Sequence, residues 1–359
     1  MALPAILLLE NEEPLVGSGL GREAMACGVM GVSALAAGFP DLITDPSYTG
    51  KLVCFTYPHV GTAGMVPDDL QSDAIAVGGV IGREIGRFAA NRLGVESMEA
   101  FLTRNKIPVM EGVDTRTVAE IVARRGLVRA VMGTGKYADA ALLAKEFADP
   151  SAWNVKKAGT NRPYEWTEKA AASPGFKVVV HDFGVKKGFL RRLAAMECAV
   201  TVVPSGYPAE KTLVEKPDGV VFSAGNGIPE TRIEALPAAS GLLGKVPLWG
   251  VGVGAGVLAV AAGARTVVNG RGHMGIHPVG RSGEASGEMT SQCHDFWIEG
   301  ESLPGAGLEQ THFHLNDGSV MGFCCRERKL MGVMFHPEAE PGPRDSLYLF
   351  DRFHEMMRK

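Results

Sequence analysis

The sequence has no block of like charges and no strong excess of either sign. Its 359 residues carry 36 Lys and Arg against 40 Asp and Glu, a formal net charge of −4. A domain that binds nucleic acid usually gathers basic residues into a patch or stripe. We therefore expect that nucleic acid is not the main partner of this chain.

Cysteine is scarce, and its spacing excludes two further classes of protein. The six cysteines form no CxxC pair, which a redox motif or a zinc ribbon would require. They also lack the dense spacing of the disulfide frameworks that stabilise small secreted domains. The pattern is typical of reduced thiols, and we expect a cytoplasmic protein.

A long hydrophobic run is missing from the start of the chain. Residues 1–9 lack a basic leader and lead directly into the acidic residues 10–13. The apolar stretch is too short for a signal peptide or a membrane span. It favours a first β-strand, and we expect no association with a membrane.

The length of the chain permits two domains, each with its own core. Residues 1–150 mix strand and helix signals, with helices predicted over 84–105 and, capped by Asp114, over 114–125. Residues 151–175 lose all periodicity and are predicted to form a linker. Residues 176–359 are predicted to form the second domain.

The second half alternates short apolar strands with helices. Strands are predicted at 176–180, 200–203, 219–222 and 246–249. Buried β-branched strands separated by helices are typical of a parallel sheet that is covered on both faces. In such sheets ligands bind beyond the carboxyl ends of the strands. We therefore expect the loop 223–227, Gly252 and His336 to share one sheet edge.

Residues 246–256 indicate a strand, a tight turn and a helix. This elbow is a common mount for a catalytic Ser or Cys. Its apex is Gly252, which has no side chain. Further along, His336 and Glu338 still offer a base and a carboxylate to orient it. The chain thus has the frame of a nucleophilic enzyme without the nucleophile.

Several longer motifs carry a family resemblance. They are residues 43–48, 55–61 and 113–116 in the first half, and 181–186, 272–279 and 336–343 in the second. Through them the whole chain resembles the small subunit of carbamoyl phosphate synthase. The second half is similar to class I glutamine amidotransferases.

The resemblance implies an α/β fold. An N-terminal α+β domain would precede a doubly wound, parallel-sheet amidotransferase-like domain. It also implies an activity: a Cys thiolate attacks the glutamine amide, and the released ammonia passes to a large subunit. That partner would hold the ATP and Mg²⁺ used to activate bicarbonate, so no cofactor is expected in this chain. The pathways implied are pyrimidine and arginine biosynthesis.

The family's glutamine site is only partly kept. Six residues match family positions of that site: Ser47, Gly225, Gly227, Phe296, His336 and Glu338. Five positions depart from the family. Gly252 replaces the nucleophilic Cys, Ala255 a His, Gly256 the substrate-binding Gln, Cys293 an Asn and Asp295 a Gly. The departures fall in one pocket, which predicts that glutaminase chemistry is absent and that His336 and Glu338 are remnants of a triad.

Three functional hypotheses follow. The first is a glutaminase-inactive small subunit that supports an ammonia-dependent synthetase. The second is a stand-alone ligand-binding or regulatory pseudoenzyme. The third is an active amidohydrolase in which Cys293 serves as a displaced nucleophile.

Four histidines have spacings that can chelate a metal. His273 and His277 form an HxxxH pair, and His312 and His314 form an HxH pair. No Cys or carboxylate cluster stands beside them in the sequence. No metal site is therefore predicted.

Overall fold

The chain divides into two compact units, residues 1–156 and 157–359, in a computed structural model that describes residues 3–168, 175–268 and 272–358. The sequence predicted a first domain ending at 150 and a linker over 151–175. Residues 169–174 of that segment lie outside the described residues. Within the remainder, Tyr164–Glu165 is a short strand that pairs with the second unit's sheet.

The first unit is a mixed α+β domain built on a closed barrel. Its elements are β1 Leu3–Leu9, β2 Leu15–Leu20, β3 Met25–Ser33, α1 Phe39–Thr44, β4 Lys51–Phe55, β5 His59–Val60, β6 Gly79–Gly82, β7 Glu84–Ile85, α2 Met98–Arg104, β8 Val109–Glu111, α3 Thr115–Arg125, β9 Arg129–Thr134 and α4 Ala140–Ala148. The barrel order is β1-β2-β8-β6-β4-β3-β9. Alternate residues of β1 enter its core, where Ala5, Leu7 and Leu9 are buried.

Local sequence signals account for one helix of this unit and fail for another. The Asp114 carboxylate accepts the N–H groups of Arg116 and Thr117, each at 3.1 Å, and caps α3 as predicted. The helix predicted over 84–105 is wrong for residues 84–97, because helix α2 spans only Met98–Arg104. Phe88 is 81% exposed. The apolar residues of that stretch therefore do not form the buried face that a helix would need.

The second unit is a sheet with helices packed against it. Its elements are β10 Tyr164–Glu165, β11 Phe176–Phe183, α5 Lys187–Ala195, β12 Cys198–Pro204, α6 Ala209–Val214, β13 Gly219–Gly225, α7 Leu236–Leu242, β14 Leu248–Val251, α8 Val253–Ala262, β15 Thr266–Val267, β16 His273–Arg281, β17 Gly287–His294, β18 Trp297–Ile298, β19 Glu309–His314, β20 Val320–Cys325, β21 Leu330–Val333 and α9 Tyr348–Arg358. The sheet order is β10-β12-β11-β13-β14-β21-β20-β19-β16-β17.

The central strands β12, β11, β13, β14 and β21 run parallel to one another. Every residue of β13, β14 and β21 is buried, as expected for parallel strands covered on both faces. The Trp249 ring of β14 lies 5.2 Å from Phe189 of α5 and 4.9 Å from Phe350 of α9. This confirms the α/β sheet predicted from the strand–helix alternation.

The parallel strands bring together the loop 223–227, Gly252 and His336. Strands β13, β14 and β21 are consecutive neighbours and end at Gly225, Val251 and Val333. The loop 223–227, Gly252 and His336 therefore meet at the carboxyl edge of the sheet, as predicted.

Candidate active site

Gly252 alone makes the turn between β14 and α8. Its backbone angles are φ 53° and ψ −120°, a conformation that strains any residue with a β-carbon. Its N–H donates to the carbonyl of Val333 at 2.9 Å, and its carbonyl accepts the N–H of Gly256 at 3.1 Å. The backbone thus forms a nucleophile elbow whose apex presents only hydrogen.

The space above the elbow would accept a small side chain. A β-carbon on Gly252 would lie 3.4 Å from the β-carbon of Ala224, an ordinary van der Waals contact. Neighbouring atoms therefore do not exclude a nucleophile here. The reacting atom is absent because the residue is glycine, and an acyl-enzyme cannot form at this position.

The loop beside the elbow is held by backbone packing at its glycines. A β-carbon on Gly225 would lie 1.8 Å from the carbonyl oxygen of Phe183, so no side chain fits there. Gly227 has a φ of 98°, in the region that favours glycine. The two glycines that match the family's oxyanion loop thus still have a structural reason to be glycine.

A buried arginine organises the same loop. The guanidinium of Arg232 is 2% exposed and donates to the side-chain oxygen of Asn226 at 2.8 Å and to the Phe183 carbonyl at 3.2 Å. Burial lowers the pKa of Arg232, although Glu234 opposes the shift. The Asn226 oxygen also accepts the N–H of Ala158 at 2.8 Å. Asn226 therefore serves the loop's own structure.

His336 and Glu338 remain paired, with a lysine as a third member. His336 Nδ1 lies 3.2 Å from Glu338 Oε1, and Lys186 Nζ lies 2.9 Å from the same oxygen. Burial would raise the pKa of Glu338, but the Lys186 ammonium and the His336 hydrogen bond together lower it to about 2. The ionised carboxylate accepts the Nδ1 proton of His336, which leaves Nε2 as a base. The arrangement holds a base with no nucleophile to deprotonate.

Position 256, where the resemblance implies a substrate-binding Gln, has no room for a side chain. A β-carbon on Gly256 would lie 2.5 Å from Cε2 of Phe296 and 2.6 Å from Cγ of Pro229. Phe296 is fully buried, so its ring cannot swing into solvent to make room. Phe296 and Pro229 therefore fill the space that a side chain at position 256 would need.

The other altered positions lie on and after β17. Cys293 is 6% exposed and pairs with Met274 in the register of β16 and β17. Asp295 follows the end of β17 and is half-buried.

Ser47 lies in the first unit, where it is 1% exposed in a short helical turn and its N–H donates to Asp45 Oδ1 at 2.8 Å.

The candidate metal ligands separate into two groups. His312 Nε2 lies 2.8 Å from the Tyr348 hydroxyl, and His312 is not in the group of described residues whose donor atoms converge. His273, His277 and His314 lie together, and their rings stand beside the carboxylate of Asp317. The sequence interpretation found no carboxylate near these histidines, and the turn after β19 supplies one.

Sequence reasoning also missed Lys186 and Arg232. Lys186 is the last residue of the motif 181–186, where the sequence assigned it no role, and Arg232 lies outside the motifs. Neither residue has a spacing to its partners that would indicate the contact. Lys186 precedes the Ala339 carbonyl that it contacts by 153 positions. The one signal available was that each cation falls near the carboxyl end of a strand.

Comparison with known proteins finds two matching families and several full-length relatives. The carbamoyl-phosphate synthase small chain domain family matches residues 7–132, and the class-I glutamine amidotransferase family matches residues 179–356. A carbamoyl phosphate synthase small chain of Thermosynechococcus vestitus is 37% identical, covering 100% of this chain and 97% of its own length. One from Listeria monocytogenes is 38% identical, covering 98% and 96%. One from Pseudomonas syringae is 34% identical, covering both chains fully.

Among the described residues, none of the helices is both long and apolar enough to cross a membrane.

Proposed function

Because this chain belongs to the carbamoyl phosphate synthase small-chain family, with a class-I glutamine amidotransferase domain, we propose that it is a small subunit that does not hydrolyse glutamine. It binds a large subunit and supports synthesis that takes ammonia directly. The observation that carries the proposal is Gly252 at the apex of an intact elbow. Glutaminase chemistry in this family requires a thiolate there.

Two features beyond the missing thiol support the proposal. The space for a side chain at position 256 is filled by Phe296 and Pro229, so the pocket has lost a substrate contact as well as a nucleophile. His336 is hydrogen-bonded to a carboxylate that it shares with a buried lysine. A base of this kind could activate water, but it would lack the covalent step and the positioned substrate that give the family its rate.

The binding role is supported by what the chain retains. The first unit is matched by the small-chain domain family over residues 7–132. Its core is closed, with Leu7, Leu52 and Met110 fully buried in the barrel. Loss confined to the chemistry of one pocket is expected when the fold still has a use as a subunit.

The experiment is to co-express the chain with the large subunit from the same genome. We expect the two to co-elute in gel filtration. Carbamoyl phosphate should form with ammonium at a rate that depends on this chain, and glutamine should give no rate above the donor-free background. The large subunit alone is the control for that dependence.

Two outcomes would replace the proposal. Failure to co-elute, with an ammonium-dependent rate unchanged when the chain is omitted, would favour a stand-alone ligand-binding protein. Glutamate release that disappears in Cys293→Ser would favour the displaced nucleophile.

A further inference from the structure

Three histidines and one carboxylate form a cluster in the second unit. His273 begins β16, His277 follows on the same strand, and His314 ends β19. Asp317 lies in the turn between β19 and β20. Neither the glutaminase chemistry of the family nor the proposed subunit role uses this cluster.

The donor atoms of three of these residues converge. His273 Nε2 lies 2.8 Å from Asp317 Oδ2, and His314 Nδ1 lies 3.4 Å from Asp317 Oδ1. The His273 and His314 rings are parallel, 4.2 Å between centroids. One ligand atom from each of the three residues lies within 4.8 Å of the others. Ligands at about 2.0–2.1 Å from a tetrahedral zinc ion are roughly 3.4 Å apart, so a small adjustment would close this set around a metal.

Hydrogen bonds fix which nitrogen of His314 carries a lone pair. The carbonyl of Met274 can only accept, so His277 Nε2 donates to it at 3.0 Å. His277 Nδ1 then accepts from His314 Nε2 at 3.1 Å. This leaves His314 Nδ1 without a proton, and it accepts the N–H of Asn316 at 3.2 Å.

Two acceptors therefore face each other across 3.4 Å, the His314 Nδ1 lone pair and the Asp317 carboxylate. Each acceptor now takes a backbone N–H, His314 Nδ1 from Asn316 at 3.2 Å and Asp317 Oδ1 from Ser319 at 3.0 Å, and a cation between the two acceptors would attract both.

We propose that His273 Nε2, His314 Nδ1 and the Asp317 carboxylate bind one borderline divalent metal ion, Zn²⁺ in the first instance, with a fourth position open to water. Two imidazoles and one carboxylate are a donor set that zinc prefers. The Asp317 side chain is 38% exposed, which gives the ion access from solvent. On binding, the His273 ring proton moves from Nε2 to Nδ1, and the metal takes the Nε2 lone pair. At His314 the Asn316 N–H releases Nδ1, whose single in-plane lone pair then goes to the metal.

His277 completes the arrangement without touching the ion. Its Nδ1 accepts a hydrogen bond from His314 Nε2, and its own Nε2 donates a hydrogen bond to the Met274 carbonyl. Hydrogen bonds of this kind set the tautomer and orientation of a ligating histidine. A bound ion would join β16 to the β19–β20 turn, so its effect is expected on stability rather than on catalysis.

The test uses the full chain, stripped with a chelator and then incubated with equimolar zinc. After gel filtration, elemental analysis should find one zinc per chain. His314→Ala and Asp317→Asn should each weaken zinc binding at least tenfold. His354→Ala, which removes a histidine of α9 outside the cluster, should leave it unchanged.

Cobalt provides a second measurement that needs no variant. The Co²⁺-loaded wild-type chain should show d–d absorption without thiolate-to-cobalt charge transfer, because no cysteine is in the proposed set. Three results would each overturn the proposal: no zinc binding by the wild type, ligand variants that bind zinc as tightly as the wild type, or a thiolate charge-transfer band. Circular dichroism identifies a variant that fails to fold, in which case the cobalt spectrum decides.

Discussion

At the scale of single residues, position 252 decides what this pocket can do. Its positive φ suits glycine, and its surroundings leave room for a β-carbon. The family's nucleophile would therefore fit the space at a cost in backbone strain. The absence of a reacting side chain at the elbow is a property of Gly252 itself, whereas the lack of space at position 256 is a property of its neighbours Phe296 and Pro229.

Restoring a thiol at position 252 tests the effect of the missing nucleophile separately from that of the closed position 256. Gly252→Cys is expected to lower the free energy of unfolding by about 1–3 kcal/mol, because a β-carbon is placed at φ 53°. It should not restore glutamine hydrolysis, since Gly256, Cys293 and Asp295 still lack the family's substrate contacts. Urea unfolding and glutamate release measure the two effects. Gly305→Cys, at an exposed site with open space, is the matched control. Turnover by the single variant at a rate comparable to active relatives would show that the pocket was never remodelled.

Placing a side chain at position 256 tests whether Phe296 and Pro229 leave no room for one. Gly256→Gln is expected to destabilise the chain by about 1–3 kcal/mol, because its β-carbon would overlap the Phe296 ring and Pro229. Gly305→Gln, which meets no atom within 4 Å at its β-carbon, controls for the new side chain. Denaturant midpoints that are the same for both variants would contradict the packing argument.

At the scale of elements, Lys186 joins the start of α5 to the segment after β21. Its ammonium pairs with Glu338 at 2.9 Å and also donates to the carbonyls of Ala339 and Glu340. Ala339 and Glu340 both have positive φ, 61° and 49°. The lysine therefore holds a strained segment in place as well as neutralising a buried carboxylate.

Removal of this lysine should be costly. Lys186→Met is expected to destabilise the chain by about 3–5 kcal/mol, since it leaves the Glu338 carboxylate buried without its main cation. The double variant Lys186→Met with Glu338→Gln should recover part of that loss. Urea unfolding of the two single variants and the double gives the coupling between them. Additive losses would contradict a direct ion pair.

The Lys186–Glu338 ion pair predicts that the stability of the chain depends on pH. The folded-state pKa of Glu338 is about 2, below its ordinary value of 4.5. A lowered carboxylate pKa contributes stability that is complete above about 4.5 and is lost as the pH falls toward 2. Between pH 5 and 3, Glu338→Gln should therefore lose less unfolding free energy than the wild type. Equal slopes over that window would show that Glu338 does not titrate with folding.

At the scale of the whole molecule, the strand–helix alternation was enough to predict the parallel sheet and to align Gly252, the 223–227 loop and His336. The reason is that parallel topology places the ends of neighbouring strands together. The sequence could not show that Phe296 and Pro229 occupy the space at Gly256, since packing joins residues far apart in the chain. It also did not show Lys186 beside Glu338, because the two residues lie far apart in the chain and share no spacing motif.

The central claim is that nitrogen reaches the product without passing through glutamine hydrolysis in this chain. The most direct measurement supplies the reconstituted complex with amide-¹⁵N glutamine and unlabelled ammonium, and follows the isotope in carbamoyl phosphate. We expect product formed from ammonium alone, with no ¹⁵N above the no-enzyme control. Incorporation of ¹⁵N that depends on this chain would contradict the account, because it would require an active glutaminase site behind Gly252.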